Sequence, residues 1–244
     1  MPYLHSFTAP VQAMVIGATG SIGGAMLRRL YECANVAHIV AAARTPPNWR
    51  GDKIMWCELD ILNEQSISAA VERIDSLNLV IIATGILHGS GLQPEKSWRS
   101  LDAFSMLLNF EINCVGPAMI AKHVLPKLPR RERAVFAVLS ARVGSISDNR
   151  LGGWYSYRAS KAALNQFIKT LSIELARSHE QCVCLGLHPG TVDSSLSKPY
   201  LNSVQRDRLY SPEIAAVRLL EVIDGSQKVH SGELLSWDGT VIPP

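Results

Sequence analysis

The sequence has few charged residues and no long apolar run. Charged residues make up 18% of its 244 residues, and the formal net charge is +3. Because Lys and Arg are interspersed with Asp and Glu, no basic surface for nucleic acid is indicated. The strongest apolar run, Leu79 to Ala83, is too short to cross a bilayer, and Met1 to Pro10 lacks the regions of a secretion signal. We expect neither a nucleic-acid nor a membrane partner.

The chain also lacks paired cysteine motifs and clustered metal ligands. Its five cysteines are odd in number and show no C-x-x-C spacing, which is typical of reduced, buried thiols in a cytoplasmic protein. The histidines have no metal-ligand spacing, so we predict no metal site. His88, on a loop, is expected to be solvated rather than catalytic. The cysteines are Cys33, Cys57, Cys114, Cys182 and Cys184.

Short β-branched apolar runs alternate with longer segments of helical periodicity. This alternation predicts a parallel sheet with helices on both faces, a doubly wound (Rossmann-type) α/β fold, as a single domain over residues 1–244. The predicted strands are Ala13 to Ile16, Ala37 to Ala43, Lys53 to Trp56, Leu79 to Ala83, Ala134 to Leu139 and Cys182 to Leu187. The predicted helices are Ser21 to Cys33, Glu64 to Ile74, Phe104 to Leu125, Ser160 to Ala176 and Pro212 to Ile223.

A glycine-rich turn joins the first predicted strand to the first helix. Glycines there allow a tight turn and let the backbone approach a pyrophosphate, and the helix N-terminus offers free N–H groups. The alternative is a flexible turn that binds nothing. The residues that we predict to bind a dinucleotide in this turn are Gly17, Thr19, Gly20, Ser21, Ile22 and Gly23.

The end of the second predicted strand carries a cation and no acid. Dinucleotide folds often have an Asp or Glu here for the ribose hydroxyls, whereas an Arg meets a 2′-phosphate. This strand ends at Arg44, and the next acid is Asp52. A guanidinium matches the geometry of a phosphate, so NADP(H) is favoured over NAD(H). The alternative is that Arg44 is a solvated loop charge.

Tyr157 and Lys161 are separated by four residues at a predicted helix start, which places both side chains on one helix face. The Tyr-x-x-x-Lys pair follows the glycine-rich turn and Asn113, and it precedes Pro189-Gly190. In order and rough spacing these motifs resemble the short-chain dehydrogenases/reductases over nearly the whole chain. The stretch around Tyr157 and the sequence His-Pro-Gly-Thr-Val-Asp ending at Asp193 are similar to the C-factor-type carbonyl reductase branch.

Reduction of a carbonyl by hydride leaves an alkoxide that must be protonated, and the reverse reaction needs a base. A phenol of pKa ~10 needs stabilisation of roughly 3–4 kcal/mol to titrate nearer neutrality. An ammonium about 4 Å away, at an effective dielectric near 20, contributes about 4 kcal/mol. The resemblance implies that Tyr157 is the general acid/base, that Lys161 lowers its pKa and binds the nicotinamide ribose, and that Asn113 holds a water linking Lys161 to solvent.

Further cofactor contacts are implied by the resemblance. Asp60, after the third strand, would meet the adenine, and the segment after the fourth strand would contribute backbone groups. The loop after the sixth strand would orient the nicotinamide, and residues 193–204 would form a substrate lid, the alternative being a plain surface loop. The remaining predicted contacts are Ala83, Thr84, Gly85, Pro189, Gly190, Thr191 and Val192.

Two departures from the family pattern concern the site. The family's substrate-binding Ser is the second of a Ser-Ser pair that here reads Ser140-Ala141. With standard strand geometry Ser140 points the other way. We favour Ser140 as the source of the hydroxyl, through a shift of the strand end, and the alternative is Ser145. The glycine spacing Gly-x-x-Gly-x-x-Gly is typical of extended, epimerase-like members, but the chain lacks their additional substrate region.

The sequence therefore predicts an NADP(H)-dependent enzyme that interconverts a carbonyl and an alcohol. The resemblance implies a homodimer or homotetramer built on the long helices around Phe104 to Leu125 and Tyr157 to Ala176. A dinucleotide-binding sensor or signalling protein with little turnover is the main alternative, and an epimerase or dehydratase that recycles its cofactor is a third. The substrate is expected to be a small molecule.

Overall fold

The computed structural model describes residues 4–89, 91–203 and 209–244, and most of its strands form one eight-stranded sheet. The strand order is β10-β9-β6-β5-β4-β1-β2-β3, and neighbours run parallel except β10, which is antiparallel to β9. These strands are β1 (Val11–Ile16), β2 (Val36–Ala43), β3 (Ile54–Glu58), β4 (Leu79–Ile82), β5 (Ala134–Leu139), β6 (Cys182–His188), β9 (Leu234–Ser236) and β10 (Val241–Ile242). The short strands β7 (Thr191–Val192) and β8 (Leu209–Tyr210) pair separately.

Helices cover both faces of the sheet. Side chains of β1 alternate between the faces: Val15 packs in the core with α1 and α6, whereas Met14 packs in the core with α2, α4 and α5. The helices are α1 (Ser21–Glu32), α2 (Glu64–Glu72), α3 (Ala103–Phe110), α4 (Gly116–Val124), α5 (Tyr155–Ser178) and α6 (Pro212–Gly225). The fold class predicted from the sequence is therefore confirmed.

The strand order reverses at β1, which lies between β2 and β4. From β1 the chain builds outward through β2 and β3, and it then returns to place β4 and β5 on the other side. In open parallel sheets this reversal leaves a crevice outside the carboxyl ends of the strands. The glycine-rich turn after β1 and the segment after β4 therefore meet at the same place.

The six strands and five helical regions predicted from the sequence are present, with three differences. The predicted helix Phe104 to Leu125 is interrupted, because a π-helical turn at Glu111–Val115 separates α3 from α4. Helix α5 begins at Tyr155, five residues before the predicted start at Ser160. Strands β7 to β10 were not predicted, because runs of two or three residues carry too little periodicity.

Two predicted features fall partly outside the described residues: Val204 of the lid, and residues 1–3 of the amino-terminal segment. Of the cysteines, Cys114 is half-buried rather than buried. The continuous helical stretch Ala103–Lys127 is long and apolar enough to span a membrane by length and composition alone. Its residues Ile120 and Val124 are buried against the sheet, as in the core helix of a globular domain.

We predict opposite effects of two glycine-to-alanine substitutions in helices. A Cβ added to Gly23 in α1 would lie 2.2 Å from the carbonyl oxygen of Gly17, whereas one added to Gly225 in α6 would meet nothing within 4 Å. Gly23→Ala should lower the free energy of unfolding by about 1–3 kcal/mol, as overpacking does. Gly225→Ala should raise it by up to about 1 kcal/mol, because alanine favours helix. Urea unfolding measures both, and equal effects would contradict the close packing of α1.

Candidate active site

The turn after β1 is shaped to accept an anion. Gly17 has φ +82, a conformation that favours glycine, and its N–H donates to the carbonyl of Ala42 at 2.9 Å. Gly23 packs against the Gly17 carbonyl behind the turn, and Ile22 packs against the core. No side chain of the described residues caps the start of α1 at Gly20. The first N–H groups of α1 are therefore available to a ligand.

A cavity of about 440 Å³ lies at the carboxyl ends of β1, β2 and β4. Thr84 lines it, and the Thr84 hydroxyl oxygen is buried without a hydrogen-bond partner in the described part of the chain. A neighbouring cavity of about 460 Å³ shares Thr19 and Gly20 with it and adds Ser21. The predicted cofactor-binding residues that line the first cavity are Gly17, Thr19, Gly20, Arg44, Asp60, Ala83, Thr84 and Gly85.

The two charged residues of this cavity differ in their surroundings. Arg44 is exposed at the end of β2, directly after Ala43. Asp60 is half-buried, and its carboxylate accepts a hydrogen bond from the Leu62 N–H at 3.0 Å. Asp52, the first acid after β2, instead accepts from the Tyr31 hydroxyl at 2.9 Å. Arg44 therefore lines the cavity at the end of β2, and Asp52 of the same loop is bonded elsewhere.

Tyr157 and Lys161 lie in the first two turns of α5 and are 8% and 3% exposed. The Lys161 Nζ lies 5.9 Å from the centroid of the Tyr157 ring and donates to the carbonyl of Leu139, at the end of β5, at 2.8 Å. The Ser160 hydroxyl donates to the Tyr157 carbonyl at 2.9 Å. One helix thus holds both groups beside the carboxyl end of the sheet.

Burial dominates the protonation of both groups. It raises the pKa of Tyr157 to about 12, and it lowers the pKa of Lys161 to about 8, with the Cys114 thiol acting in the opposite direction on the lysine. The sequence leads us to expect that Lys161 lowers the pKa of Tyr157, but burial raises that pKa instead. At neutral pH the phenol carries its proton and Lys161 is mostly charged.

Asn113 is held by the π-helical turn between α3 and α4. Its Oδ1 accepts from the Ile86 N–H at 2.9 Å, and its Nδ2 donates to the Ile86 carbonyl at 3.0 Å and to the Ser160 Oγ at 3.1 Å. A Cβ added to Gly85, which lines the cavity, would lie 3.3 Å from Asn113 Oδ1 and 3.7 Å from Lys161 Nζ. The cavity, Asn113 and Lys161 therefore adjoin one another.

The two candidate serines make different contacts. The Ser140 hydroxyl donates to the Asn165 Oδ1 at 2.6 Å, one turn of α5 beyond Lys161. The Ser145 hydroxyl accepts from the Asp148 N–H at 3.1 Å. Ser140 thus faces α5, and its only hydroxyl proton is already in a hydrogen bond, whereas the bond recorded for Ser145 uses its oxygen.

The loop after β6 is packed against aromatic rings. Gly190 has φ +76, and a Cβ there would lie 2.9 Å from Trp237 and 3.0 Å from Tyr210. The Arg218 guanidinium lies 4.1 Å from the Trp237 ring centroid and 4.5 Å from that of Tyr210. The following Thr191–Val192 pairs with Leu209–Tyr210. Pro189 to Val192 therefore adopt a fixed path at the end of the sheet.

The predicted lid contacts the loop after β4. The Nε2 of His88 lies 2.9 Å from the Ser195 carbonyl, and the His88 ring packs against Tyr200 at 5.8 Å between centroids. His88 is half-buried, and it contacts the predicted lid in addition to facing solvent. Tyr200 also packs against Trp154, whose ring lies 6.3 Å from that of Tyr157. The described part of the predicted lid thus reaches Trp154, the residue directly before α5.

Residues that carry no motif also shape this site. Glu95, Trp154 and Ser156 surround the start of α5 and were not singled out in the sequence. The Gly152-Gly153 pair before Trp154 was the available signal, because consecutive glycines favour left-handed backbone. Glu95 had none, since its partners lie about 60 residues away and only the fold brings them together.

The chain is similar in sequence to known proteins. The family model for the short chain dehydrogenases matches residues 12–204. The 1-hydroxy-2-glutathionyl-2-methyl-3-butene dehydrogenase of Rhodococcus sp. (strain AD45) is 32% identical over 184 residues, covering 75% of this chain and 77% of its own. The C-signal protein of Myxococcus xanthus is 34% identical over 143 residues, covering 59% of this chain and 81% of its own.

A solved structure shares the whole fold. The NADPH-bound carbonyl reductase from chicken fatty liver superposes with a TM-score of 0.83 at 24% identity, covering 98% of this chain and 97% of its own. The resemblance noted in the sequence is thereby confirmed: the chain belongs to the short-chain dehydrogenase family of oxidoreductases.

Proposed function

We propose that this protein is an NADP(H)-dependent oxidoreductase that interconverts a carbonyl and an alcohol, with Tyr157 as the general acid/base. The observation that carries the proposal is the buried Tyr157 and Lys161 pair, which adjoins through Gly85 a cavity built at the switch point of the sheet. Perturbed titratable groups at such a crevice are typical of catalytic sites.

The residues present fit a nicotinamide dinucleotide. The glycine cradle after β1 leaves room for a pyrophosphate at an uncapped helix start, and the buried, unpartnered Thr84 hydroxyl in the same cavity offers a polar contact. Gly17 to Gly23, Arg44, Asp60, the segment Ala83 to Gly85, and Pro189 to Val192 would hold the cofactor. When bound, the cofactor supplies or accepts the hydride.

The chain's own residues supply the proton chemistry. Tyr157 keeps its proton at neutral pH because burial raises its pKa to about 12, so it donates to the substrate oxygen as that oxygen becomes basic, and it takes the proton back in the reverse direction. The Lys161 ammonium stabilises the phenolate that remains. Asn113 fixes Ser160, which bonds the Tyr157 carbonyl, and so orients the first turns of α5.

The choice of NADP(H) rests on Arg44. It lines the cavity at the end of β2, where an acid would instead bind ribose hydroxyls, and Asp52 is bonded to Tyr31. The similar chicken carbonyl reductase is an NADPH-bound structure, which agrees with this preference. A guanidinium forms paired hydrogen bonds with a phosphate, so the 2′-phosphate is its natural partner.

A second candidate is a dinucleotide-binding signalling protein with little turnover. The likeness to the Myxococcus xanthus C-signal favours it, as does the engagement of the Ser140 hydroxyl by Asn165. The buried Tyr157 and Lys161 pair favours the enzyme, because cofactor binding would use the ammonium but not a buried phenol beside it. A cofactor-recycling epimerase or dehydratase is the third candidate. Net consumption of NADPH would exclude it, because such an enzyme regenerates its cofactor in each turnover.

We further propose a single cytoplasmic domain that assembles as a homodimer or homotetramer. Phe104 and Leu107 on α3 are 67% and 69% exposed, and Val115 in the following turn is 47% exposed. An exposed apolar face of this kind on a helix is typical of a surface that another protein covers. This face lies on the helical region around Phe104 to Leu125, which the family resemblance implies for assembly.

We propose that the substrate is a small carbonyl compound or alcohol.

We predict that Tyr157→Phe lowers the rate of carbonyl reduction about 10²- to 10⁴-fold, the usual contribution of a general acid. NADPH binding should persist, because the ring and Lys161 remain. The measurement is NADPH consumption with a panel of aldehydes, ketones and quinones, beside NADPH titration. Tyr155→Phe is the matched control, because no lysine lies one helical turn after Tyr155 and its side chain is partly exposed. Cofactor binding without turnover of any carbonyl by the native chain would favour the signalling candidate.

Arg44→Ala should raise the KM for NADPH about 10- to 100-fold, which corresponds to one lost charge-assisted hydrogen-bond pair of roughly 1.5–3 kcal/mol. The KM for NADH should stay unchanged. Arg50→Ala, a change of another exposed arginine on the same loop, serves as the control. Equal changes for both cofactors would argue against a 2′-phosphate contact.

The rate of carbonyl reduction should fall as pH rises through about 8. Burial lowers the pKa of Lys161 to about 8, so the ammonium is present below this pH and is lost above it, while Tyr157 keeps its proton up to about 12. The profile of kcat/KM, which reports groups of the free enzyme, is the measurement. Lys161→Arg should remove the decline, because a guanidinium stays charged. A flat native profile up to about pH 10 would contradict this assignment.

A further inference from the structure

Glu95 is a buried carboxylate at the start of the catalytic helix. It lies on the loop after β4 and is 4% exposed. Its Oε2 accepts from the Ser156 N–H at 3.2 Å, and its Oε1 accepts from the Ser156 hydroxyl. Its backbone carbonyl accepts from the Trp154 N–H. Three hydrogen bonds therefore join this loop to the residues directly before Tyr157.

The surroundings of Glu95 are unusual for an acid. A buried carboxylate is costly unless it is paired or fully hydrogen-bonded. No lysine, arginine or histidine in the described ranges forms an ion pair with Glu95. Its charge is stabilised instead by the Ser156 donors and by the positive end of the α5 dipole. Trp154, the N-cap residue of this helix, provides no side-chain cap. Glu95, from another segment of the chain, caps the helix instead.

Trp154 itself has a strained backbone. Its φ is 52, directly after Gly152 with φ 63 and Gly153 with φ 67. Left-handed conformations are unfavourable for bulky residues, and only Leu4 shares this feature among the non-glycine residues that the structure describes. The Glu95 carbonyl holds the Trp154 N–H, and the Trp154 carbonyl accepts from the Arg158 N–H at 2.8 Å. Such strain persists only where the surroundings enforce it.

The strained conformation sets the place of the indole. The Trp154 ring lies between two others, 6.3 Å from the Tyr157 ring and 5.1 Å from the Tyr200 ring. Tyr200 belongs to the predicted lid, and Tyr157 is the proposed acid/base. The indole therefore forms the wall between the reacting phenol and the segment that covers the substrate.

We infer that Glu95 is a positioning residue of this active site, which anchors the first turn of α5 and holds Trp154 in its left-handed conformation as the substrate-side wall beside Tyr157. This inference rests on the proposed carbonyl reduction. It makes Trp154 a determinant of carbonyl binding, and it gives Glu95 no contact with the cofactor cavity, whose lining is formed by other residues.

The test compares three substitutions of Glu95. Glu95→Ala should raise the KM for the carbonyl about 10-fold and lower kcat about 10- to 100-fold, because small displacements of reacting groups are costly, while the KM for NADPH changes less than about twofold. Glu95→Gln should stay within about threefold of the native enzyme, since its amide can accept from the Ser156 N–H and donate to the Ser156 oxygen. Glu95→Asp, one methylene shorter, should resemble Glu95→Ala.

Two outcomes would overturn the inference. Rescue by Asp but not by Gln would mean that charge at the helix start matters rather than the placement of hydrogen bonds. A lower kcat that returns to the native value once it is expressed per NADPH-binding protein would mean that Glu95 only affects the amount of folded protein.

A substitution of Trp154 tests the inference with Glu95 unchanged, so any effect of Glu95 on folding is left out. Trp154→Asn should raise the KM for the carbonyl about 10-fold with kcat and the KM for NADPH nearly unchanged, because Asn tolerates left-handed backbone but lacks the indole. An unchanged carbonyl KM would overturn the role of Trp154.

Hydrogen exchange at the Trp154 and Ser156 amides separates this inference from the proposed function. The Ser156 amide, whose acceptor is the Glu95 carboxylate, should exchange faster in Glu95→Ala, whatever the enzyme reduces, whereas the Trp154 amide keeps its backbone acceptor at residue 95. Unchanged exchange would overturn the anchoring. Faster exchange together with no carbonyl turnover by the native chain would overturn the proposed reaction and leave the anchoring of α5 in place.

Discussion

The removal of water from Tyr157 and Lys161 is the constraint on which this site depends. A buried ammonium must find acceptors, and Lys161 finds the carbonyl of Leu139 at the end of β5. That bond fixes the distance between α5 and the central strands, because the lysine stem spans the gap between them. The same burial keeps the phenol protonated and brings the lysine's pKa down to about 8. Geometry and protonation therefore have one cause.

The loop after β4 contacts each of the elements that surround Tyr157 and Lys161. Gly85 lies against Asn113 and Lys161 at the cavity, His88 contacts the lid through Ser195, and Glu95 caps α5. A loop of this kind leaves the sheet at the switch point, so its first residues necessarily lie beside the cofactor crevice. Its later residues are free to reach the substrate side. The loop thus connects the cavity at the switch point, the predicted lid and the start of α5.

The sequence predicts the parts of this protein whose causes are local. Strand and helix order follows from periodicity, and the turn after β1 follows from glycines that must allow close backbone approach. The spacing of Tyr157 and Lys161 fixes their common face on any helix. The contacts of Glu95 with Ser156 and of His88 with Ser195 join segments far apart in sequence, and no local pattern encodes them. The raised pKa of Tyr157 could not be predicted from the sequence for the same reason, because desolvation depends on all the residues packed around the ring.

In the proposed reaction, the Ser140-Ala141 pair leaves Tyr157 as the proton donor. Ser140 has one hydroxyl proton, which it donates to the Asn165 Oδ1, and withdrawing it would leave that oxygen without this hydrogen bond at a cost of about 1–3 kcal/mol. A hydrogen bond to a neutral carbonyl oxygen would not offset this cost, so we expect Ser140 to turn only toward a substrate oxygen that has become negative. While the substrate oxygen is still neutral, the protonated phenol of Tyr157 is the hydrogen-bond donor. A phenol with a raised pKa suits this order of events, because it releases its proton only to a base as strong as an alkoxide.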